Sequence, residues 1–230
     1  MFLPNFFNEA IGNNPYISDE QAYKEVLDVL KDSEEKDFIH LVTMQNHLSY
    51  SGNYNQVDYK VTGYINTEEV EQYLQGMTYS DIAIKELLTQ LDDFEEKTIV
   101  VFWGDHLPAF YSSKIIEQNG YLNTHETPLL FYNNFKQEEG QDIGTISPIY
   151  FINHVLELAN AEVTPYIALL ERLENALPAF EKGNYLERET GLKTNRSELK
   201  PSTQLLLEEY DLILYDLTTG KNYAEKMNFY

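Results

Sequence analysis

The stretch from Thr98 to Pro108 constrains this chain more than any other, because it joins a strand pattern to a pair of reactive side chains. It begins with residues that are all β-branched or aromatic, which predicts a buried strand of a parallel sheet. Gly104 then allows a sharp turn, and Asp105 and His106 follow side by side. In open α/β sheets, ligands gather beyond the carboxyl ends of the strands. A carboxylate beside an imidazole at that position suits a divalent cation.

Charge and composition exclude several classes of function. The chain has 230 residues, with 16 basic against 38 acidic residues and a net charge of −22. Such a surface repels nucleic acid and gives no support for a membrane contact through basic residues. It also repels phosphate and sulfate esters, so an anionic substrate would need a local cation. The sequence contains no cysteine, which excludes disulfides, thiol catalysis and cysteine-bound zinc.

Apolar periodicity predicts helices and strands along most of the chain. Ser18 is the predicted N-cap of the first helix, because acidic and amide residues fill the turn that follows it. We predict further helices over residues 68–91, 146–158 and 166–177, strands over 38–44, 98–102 and 127–132, and loops over 1–17, 49–66, 109–126 and 181–200.

The order of these elements indicates an α/β fold with a layered, mostly parallel sheet flanked by helices. Residues 210–223 look different, since two alternating apolar segments there surround Gly220. This pattern is typical of a β-hairpin with a glycine in its turn. We expect that C-terminal β-hairpin to lie at an edge of the sheet or to form a small separate layer.

Polar side chains stand at the ends of the predicted strands. Parallel strands present their carboxyl ends at one edge of a sheet, so we expect these side chains to converge. His40 and His154 fall inside a predicted strand and a predicted helix, and we interpret both as structural. The polar strand ends are Asn46 with His47, Asp105 with His106, and His125.

Four short motifs occur along the chain in a fixed order. They are TMQNH at 43–47, IVVFWGDHLP at 99–108, THETPLL at 124–130, and YDL followed by GK at 215–221. Together they resemble the alkaline phosphatase/sulfatase superfamily, and within it the lipoteichoic-acid synthase type of phosphoglycerol transferase. The resemblance covers nearly the whole chain and implies an alkaline phosphatase-like α/β fold.

The resemblance also implies a metal-dependent enzyme. Asp105 and His106 match two ligands of a catalytic divalent cation, which is Mn²⁺ in this type of enzyme, with Mg²⁺ or Zn²⁺ as alternatives. His47 matches a catalytic histidine that contacts the phosphate or the leaving oxygen, and His125 and Asn46 are candidates for substrate contact. The chemistry is consistent, because a cation offsets charge growing on a phosphoryl group and a histidine can donate a proton to the leaving oxygen.

The resemblance predicts that part of the site lies outside this chain. The family's nucleophile is a threonine at the start of a helix, after a strand that carries an acidic metal ligand, and residues 1–17 show neither pattern. We therefore expect one partial sulfatase-like catalytic domain over residues 1–230, with its N-terminal portion missing and with no activity in isolation. Its parts would be a loop over 1–17, an α/β core over 18–180, and a C-terminal helix and hairpin over 201–230.

The expected substrate is a glycerophospholipid or an anionic envelope polymer, handled at the extracytoplasmic face of the cell membrane. The missing N-terminal part would provide the membrane anchor. Alternatives are a sulfatase or phosphodiesterase, in which water is the acceptor, and a non-catalytic envelope domain that binds glycans through its tyrosine-rich loop at residues 50–79. A sheet without its upstream strands would expose an edge and an apolar face, which predicts self-association.

Overall fold

The computed structural model describes residues 10–63, 66–136 and 139–230, which form two compact units. The first unit contains the described residues up to Lys97 together with Gly104–Thr127, and the second contains Thr98–Trp103 together with Pro128–Tyr230. The helices are α1 (Asp19–Asp32), α2 (Thr67–Asp92), α3 (Ser113–Asn119), α4 (Tyr121–His125), α5 (Phe151–Ala159), α6 (Pro165–Ala176), α7 (Pro201–Thr218) and α8 (Tyr223–Lys226). The strands are β1 (Ile99–Trp103), β2 (Leu129–Asn133), β3 (Ala179–Glu181), β4 (Asn184–Glu187) and β5 (Gly191–Lys193).

This mixture of helices and small sheets confirms the predicted α/β class. Helices outnumber strands among the described residues, and the predicted helices over 68–91, 146–158 and 166–177 correspond to α2, α5 and α6. None of the helices in the described ranges combines the length and the apolar character that a bilayer crossing requires.

Helices α1 and α2 pack against each other in the first unit. α1 begins where the sequence predicts, because Ser18 Oγ accepts a hydrogen bond from the Gln21 amide and acidic residues occupy the first turn. Leu27 of α1 is 2% exposed and Leu91 of α2 is 1% exposed. Burying a leucine side chain of this kind contributes about 1.5–3 kcal/mol to stability.

The predicted strand over residues 38–44 is wrong, since no strand is assigned there in the described part of the chain. Phe38 is 95% exposed and Val42 is 63% exposed. The β-branched and aromatic composition favours an extended backbone, but a strand also needs a hydrogen-bonded neighbour. The described residues provide no such neighbour for this segment.

Strands β1 and β2 pair in the second unit, with Ile99 opposite Asn133 and Trp103 opposite Leu129. Their pairing is antiparallel, and so are all the pairings among the described residues, where the sequence predicted a mostly parallel sheet. The reason is the path of the chain, which leaves β1 at Gly104 and returns at Pro128 to run back along it. Phe151 at the start of α5 contacts the rings of Trp103 and Phe131 edge-on.

The core of the second unit lies between α6, α7 and the segment before α5. Tyr150 is fully buried, and its hydroxyl donates a hydrogen bond to the Leu177 carbonyl oxygen at 2.9 Å. Leu170 and Leu173 of α6 meet Leu207 of α7 in the same cluster. These leucines follow helical spacing, which explains why α6 was predictable from the sequence.

Residues 181–200 are not the surface loop that the sequence predicted, because β3, β4 and β5 form a small antiparallel sheet over residues 179–193. Glu187 anchors this sheet to the start of α7: its carboxylate accepts hydrogen bonds from Thr190 and from the Lys200 amide. Burial alone would raise the pKa of Glu187, but the hydrogen bonds from Thr190, Thr203 and the Lys200 amide outweigh burial and lower the pKa.

A C-terminal hairpin is therefore present, but not over residues 210–223, where the prediction is wrong. Those residues lie in α7, in a turn, and in the start of α8. The turn at Gly220 was correctly located, because the Asp216 carboxylate there accepts hydrogen bonds from the amides of Lys221 and Ala224. The segment is helical because it continues a helix that begins at Pro201. In that helix, Thr203, Leu207 and Tyr210 recur at helical rather than strand spacing.

Candidate active site

His47 lies at the end of a tight turn in the first unit. Its amide donates a hydrogen bond to the Met44 carbonyl oxygen at 3.0 Å. Its ring Nδ1 lies 3.0 Å from the Leu48 carbonyl oxygen and 3.4 Å from the Tyr16 hydroxyl. The Tyr16 ring meets the imidazole edge-on, with 5.8 Å between the ring centroids. Tyr16 was not predicted as a site residue, because it lies in a stretch whose composition only indicates a loop.

Asp105 and His106 follow β1 directly in the chain, as the sequence predicts. Gly104, which precedes them, accepts a hydrogen bond from Thr127 Oγ1 at 2.6 Å through its carbonyl oxygen. A Cβ atom at Gly104 would lie 3.0 Å from Thr127 Cβ, so a small residue is needed at this close approach. Both side chains that follow are open to solvent: 73% of Asp105 and 59% of His106 is exposed.

In both histidines, the ring contacts the backbone carbonyl oxygen of the next residue. His106 Nδ1 lies 2.8 Å from the Leu107 carbonyl oxygen, as His47 Nδ1 lies close to that of Leu48. A carbonyl oxygen only accepts hydrogen bonds, so in both rings Nδ1 carries the proton. Nε2 of each neutral ring then keeps its lone pair for a cation or for a proton. A backbone carbonyl that fixes the tautomer in this way is the usual support of a metal-binding or catalytic histidine.

The structure brings His47 and His106 together. Their ring centroids are 6.4 Å apart, and the rings are nearly perpendicular at 81°. Asp105 Oδ1 lies 3.8 Å from His106 Nε2, which is too long for a hydrogen bond. Two ligands that each lie about 2.1 Å from one cation are separated by roughly 3–4 Å. The spacing of Asp105 and His106 therefore fits a shared cation.

The donor set is nevertheless incomplete. Within the described ranges, no group of three or more histidine and acidic side chains is placed to hold a metal ion. Two protein ligands bind Mn²⁺ or Mg²⁺ only when waters or a substrate oxygen complete the shell. The assignment of Asp105 and His106 as two metal ligands therefore stays a prediction, and their exposure leaves room for further ligands.

His125 is exposed at the end of α4, and its contacts lie within that helix. Its Nδ1 is 2.8 Å from the Tyr121 carbonyl oxygen, and its ring stacks on the Tyr121 ring with centroids 4.0 Å apart. In the described part of the chain, no hydrogen bond or ring contact joins His125 to His47 or His106. Its predicted contact with substrate stays a prediction.

The Asn46 side chain contacts helix α2. Its Nδ2 donates a hydrogen bond to Ser80 Oγ of α2 at 2.7 Å. The neighbouring Gln45 is 2% exposed and hydrogen-bonds both α1 and α2. Gln45 was not predicted as a site residue, because the helices that it contacts are distant from it along the chain. The predicted substrate contact of Asn46 stays a prediction.

Aromatic side chains support the loop that follows His106. Tyr50, Tyr73 and Phe110 meet edge-on in pairs, with centroids 5.3–5.5 Å apart. The Tyr50 hydroxyl also accepts a hydrogen bond from the Ala109 amide at 3.3 Å. Burial raises the pKa of Tyr50 above its usual value. Tyr50 and Tyr54 are each 5% exposed, so these two rings are not open to a sugar, while Tyr64 of the same loop lies outside the described residues.

Comparison with known proteins identifies the family of this chain. The family model described as Sulfatase matches residues 4–161, which is more than half of the chain. The chain belongs to the sulfatase family. The resemblance of this chain to the alkaline phosphatase/sulfatase superfamily is confirmed.

Two relatives of this sulfatase-family chain are informative. It is 26% identical over 238 aligned positions to a Rhizobium meliloti (strain 1021) protein named as a candidate cyclic beta-1,2-glucan modification protein, a match that covers 93% of this chain and 36% of that protein. Its fold is similar to that of the Streptococcus pyogenes phosphoglycerol transferase GacH in complex with sn-glycerol-1-phosphate, with a TM-score of 0.76 and 23% identity. The structural match covers 96% of this chain and 54% of GacH, so the chain spans only part of the length of both relatives.

Proposed function

We propose that this chain is part of a metal-dependent phosphoglycerol transferase that acts on the cell envelope. The donor would be a glycerophospholipid, and the acceptor an envelope glycan or anionic polymer at the extracytoplasmic face of the membrane. The observation that carries the proposal is the pairing of His47 with His106, each with Nε2 available, beside the Asp105 carboxylate. Both units would belong to one sulfatase-like domain, since the family model runs across them.

The substrate class is supported by the two relatives. GacH is named as a phosphoglycerol transferase and is complexed with sn-glycerol-1-phosphate, and the Rhizobium protein is named for the modification of a glucan. A glycerophosphate donor and a glycan acceptor unite these two descriptions. The net charge of −22 makes a local cation necessary, because the protein surface would otherwise repel a phosphodiester.

Enzymes of the sulfatase family generally use a divalent metal, and we propose Mn²⁺ with Asp105 Oδ1 and His106 Nε2 as two of its ligands. A cation bound there would offset the negative charge that develops on the phosphoryl oxygens. The Leu107 carbonyl keeps the His106 ring oriented with Nε2 as the ligand atom. His125 and Asn46 are the further candidates for substrate contact.

His47 would move the proton. In its charged form it carries protons on both ring nitrogens, with Nδ1–H held by the Leu48 carbonyl oxygen. As the family's threonine nucleophile, ionised next to the cation and expected outside this chain, bonds to phosphorus, Nε2–H can donate its proton to the oxygen that leaves, which leaves a neutral ring protonated at Nδ1. When the acceptor oxygen then bonds to phosphorus and displaces the threonine oxygen, the same Nε2 can take the proton of the acceptor hydroxyl, which restores the charged ring. If water is the acceptor, the same groups perform hydrolysis, so a phosphodiesterase or sulfatase remains the second candidate.

The metal assignment is tested by nuclear magnetic resonance with Mn²⁺, whose unpaired electrons broaden nearby signals. We expect the ring signals of His106 and then His47 to broaden at lower Mn²⁺ concentration than those of His154. Asp105→Asn should weaken this broadening about tenfold or more, as expected when a direct ligand is lost. Asp142→Asn removes an exposed acid elsewhere and should change nothing. Equal broadening of all histidines, or an Asp105→Asn variant that behaves like the wild type, would refute the assignment.

A further inference from the structure

The turn that carries His47 is attached to the helices by the polar side chains that precede it. Gln45 and Asn46 hydrogen-bond Ser80 of α2, and Gln45 also bonds the amide of Asp19 at the start of α1. Thr43 lies near the Asp19 carboxylate and lowers its pKa, against the effect of burial. Among the described residues, the hydrogen-bonding contacts of the His47 ring are those of Nδ1 with Tyr16 and Leu48, so the residues that precede His47 fix the position of the turn.

Gln45 is the most constrained of these residues. Its Oε1 accepts a hydrogen bond from the Asp19 amide at 3.0 Å, and its Nε2 donates to the Gly76 carbonyl oxygen at 3.1 Å and to Ser80 Oγ at 3.2 Å. Its backbone carbonyl accepts from Asn14 Nδ2 at 2.8 Å. The amide cannot be reversed, because its oxygen would then face the Gly76 carbonyl oxygen. Both helices therefore dictate one orientation of this side chain.

Ser80 is the centre of the network, and its hydrogen bonds are complete. Its single hydroxyl proton goes to Asp19 Oδ2, and its two lone pairs accept from Gln45 Nε2 and Asn46 Nδ2. Burial raises the pKa of Asp19, and the hydrogen bond from Ser80 and the nearby Thr43 side chain oppose that rise. Because the donor and both acceptor positions of the Ser80 hydroxyl are occupied, Ser80 fixes the distances between α1, α2 and the turn.

Gly76 shows how closely the turn approaches α2. A Cβ atom at this position would lie 2.3 Å from Asn46 Oδ1 and 2.8 Å from the Tyr54 hydroxyl. A glycine in the middle of a helix costs roughly 1 kcal/mol relative to alanine. The close approach of the His47 turn to α2 explains why residue 76 is a glycine.

We propose that Gln45 is the positioning residue of this active site, with Ser80 and Asp19 as its fixed support. Gln45 sets the orientation of the His47 turn so that Nδ1 meets the Leu48 carbonyl oxygen and Nε2 stays available beside His106. The inference rests on the role of His47 in the proposed function. Within the TMQNH motif, Thr43, Gln45 and Asn46 would hold the turn in place, and His47 would react.

The test separates positioning from general stability by observing the His47 ring itself. In ¹⁵N spectra, wild-type His47 should show one neutral tautomer, with the proton on Nδ1. Gln45→Met and Ser80→Ala should each move the ¹⁵N shifts of His47 toward a mixture of both tautomers. Gln75→Met is the matched control, because Gln75 is a similarly buried residue of α2 that bonds the Asp58 amide instead. It should lower the melting temperature without altering the His47 tautomer.

A second measurement uses sn-glycerol-1-phosphate with Mg²⁺. Gln45→Met and Ser80→Ala should weaken the ligand-induced shift of His47 about tenfold in affinity, which corresponds to one lost hydrogen bond to a charged group. Ser80→Thr keeps the hydroxyl and should restore the wild-type tautomer. If the ligand leaves His47 of the wild type unmoved, the proposed function fails, while the tautomer still tests the positioning.

The positioning is overturned if Gln45→Met and Ser80→Ala keep the wild-type His47 shifts, or if Gln75→Met alters them equally. Should Gln45→Met fail to fold, Asp19→Asn serves in its place. This variant retains the backbone amide that bonds Gln45 but replaces the carboxylate that receives the Ser80 proton. A wild-type tautomer in a folded Asp19→Asn variant would count against the network as the support.

Discussion

His154 shows what separates a structural histidine from those at the candidate site. Its Nε2 lies 2.7 Å from Glu174 Oε1, and the other carboxylate oxygen of Glu174 accepts from Asn153 Nδ2 at 2.8 Å. The Phe131 ring covers the imidazole at 5.0 Å. The Nε2 atom of His154 is thus engaged by a carboxylate, whereas within the described residues no hydrogen bond reaches Nε2 of His47 or His106. This contrast agrees with the structural interpretation of His154 from the sequence.

The His154–Glu174 pair predicts a pH dependence of stability. The hydrogen bond to Glu174 raises the pKa of His154 above its usual value, with burial opposing and Glu157 assisting. The stabilisation is therefore fully present below the unfolded pKa and is lost as the pH rises through the folded pKa. We expect thermal stability to fall from about pH 6 to about pH 8, and His154→Gln to reduce this slope. Melting temperatures recorded at several pH values across this range measure the slope for both proteins.

The matched control for this prediction is His125→Gln, since His125 is exposed and has no carboxylate partner in the described residues. It should retain the wild-type slope. A His154→Gln variant with an unchanged slope would show that the pair contributes nothing to the pH dependence, and that the many surface carboxylates determine it instead.

The sequence singles out the candidate site residues more readily than the residues that support them. Asp105, His106 and His47 stand out because each belongs to a short motif next to an apolar segment. The supporting roles of Gln45, which lies in the same TMQNH motif as His47, and of Ser80 were not predictable, because their partners are 26–61 residues away along the chain. A hydrogen bond between such distant residues depends on how α1 and α2 pack, which no local pattern encodes.

At the scale of the elements, local signals located helices and failed where strand pairing decides the structure. α1 was located by its N-cap residue Ser18, and α6 by the helical spacing of its apolar residues. The segment 38–44 has strand composition but no neighbouring strand among the described residues. The small sheet over 179–193 was missed because its three strands are short and carry charged residues. No alternating apolar pattern marks such strands in the sequence.

The α7–α8 turn gives a prediction at this scale. A Cβ atom at Gly220 would lie 2.5 Å from Asp216 Cα and 2.9 Å from the Asp216 carbonyl oxygen, which are backbone atoms that cannot move aside. Gly220→Ala should therefore push the turn away from α7 and weaken the cap that Asp216 provides to α8. We expect a loss of about 1–3 kcal/mol in the free energy of unfolding, measured by urea titration.

Gly140→Ala is the control for this turn, because a Cβ atom at Gly140 meets no atom within 4 Å. Its effect should stay within roughly 0.5 kcal/mol, as for other surface substitutions. If Gly220→Ala were as mild as Gly140→Ala, the turn would be more adaptable than the close approach to Asp216 indicates.

At the scale of the whole molecule, two opposing forces act between copies of the chain. The net charge of −22 repels one copy from another over distances comparable to the Debye length. Against this, Phe38 and Val42 expose apolar side chains on a segment that is not paired in a sheet within the described residues. Exposed apolar surface with unpaired backbone groups favours association, which short-range contacts would drive once the repulsion is screened.

We therefore predict self-association that increases with salt. Light scattering should show a near-monomeric mass at about 0.05 M NaCl and a higher mass near 1 M, where the Debye length falls to about 3 Å. The double variant Phe38→Ser and Val42→Ser should remain monomeric under both conditions. The control is Leu205→Ser with Leu212→Ser, which removes two leucines of α7 that are 56% and 65% exposed.

If the molecular mass did not depend on salt, or if the α7 variant lowered the mass at high salt equally, residues 38–42 would not be the associating surface. A salt-dependent mass that responds only to Phe38 and Val42 would locate association at the segment leading to His47, so that enzymatic assays at high salt would need to separate assembly from activity.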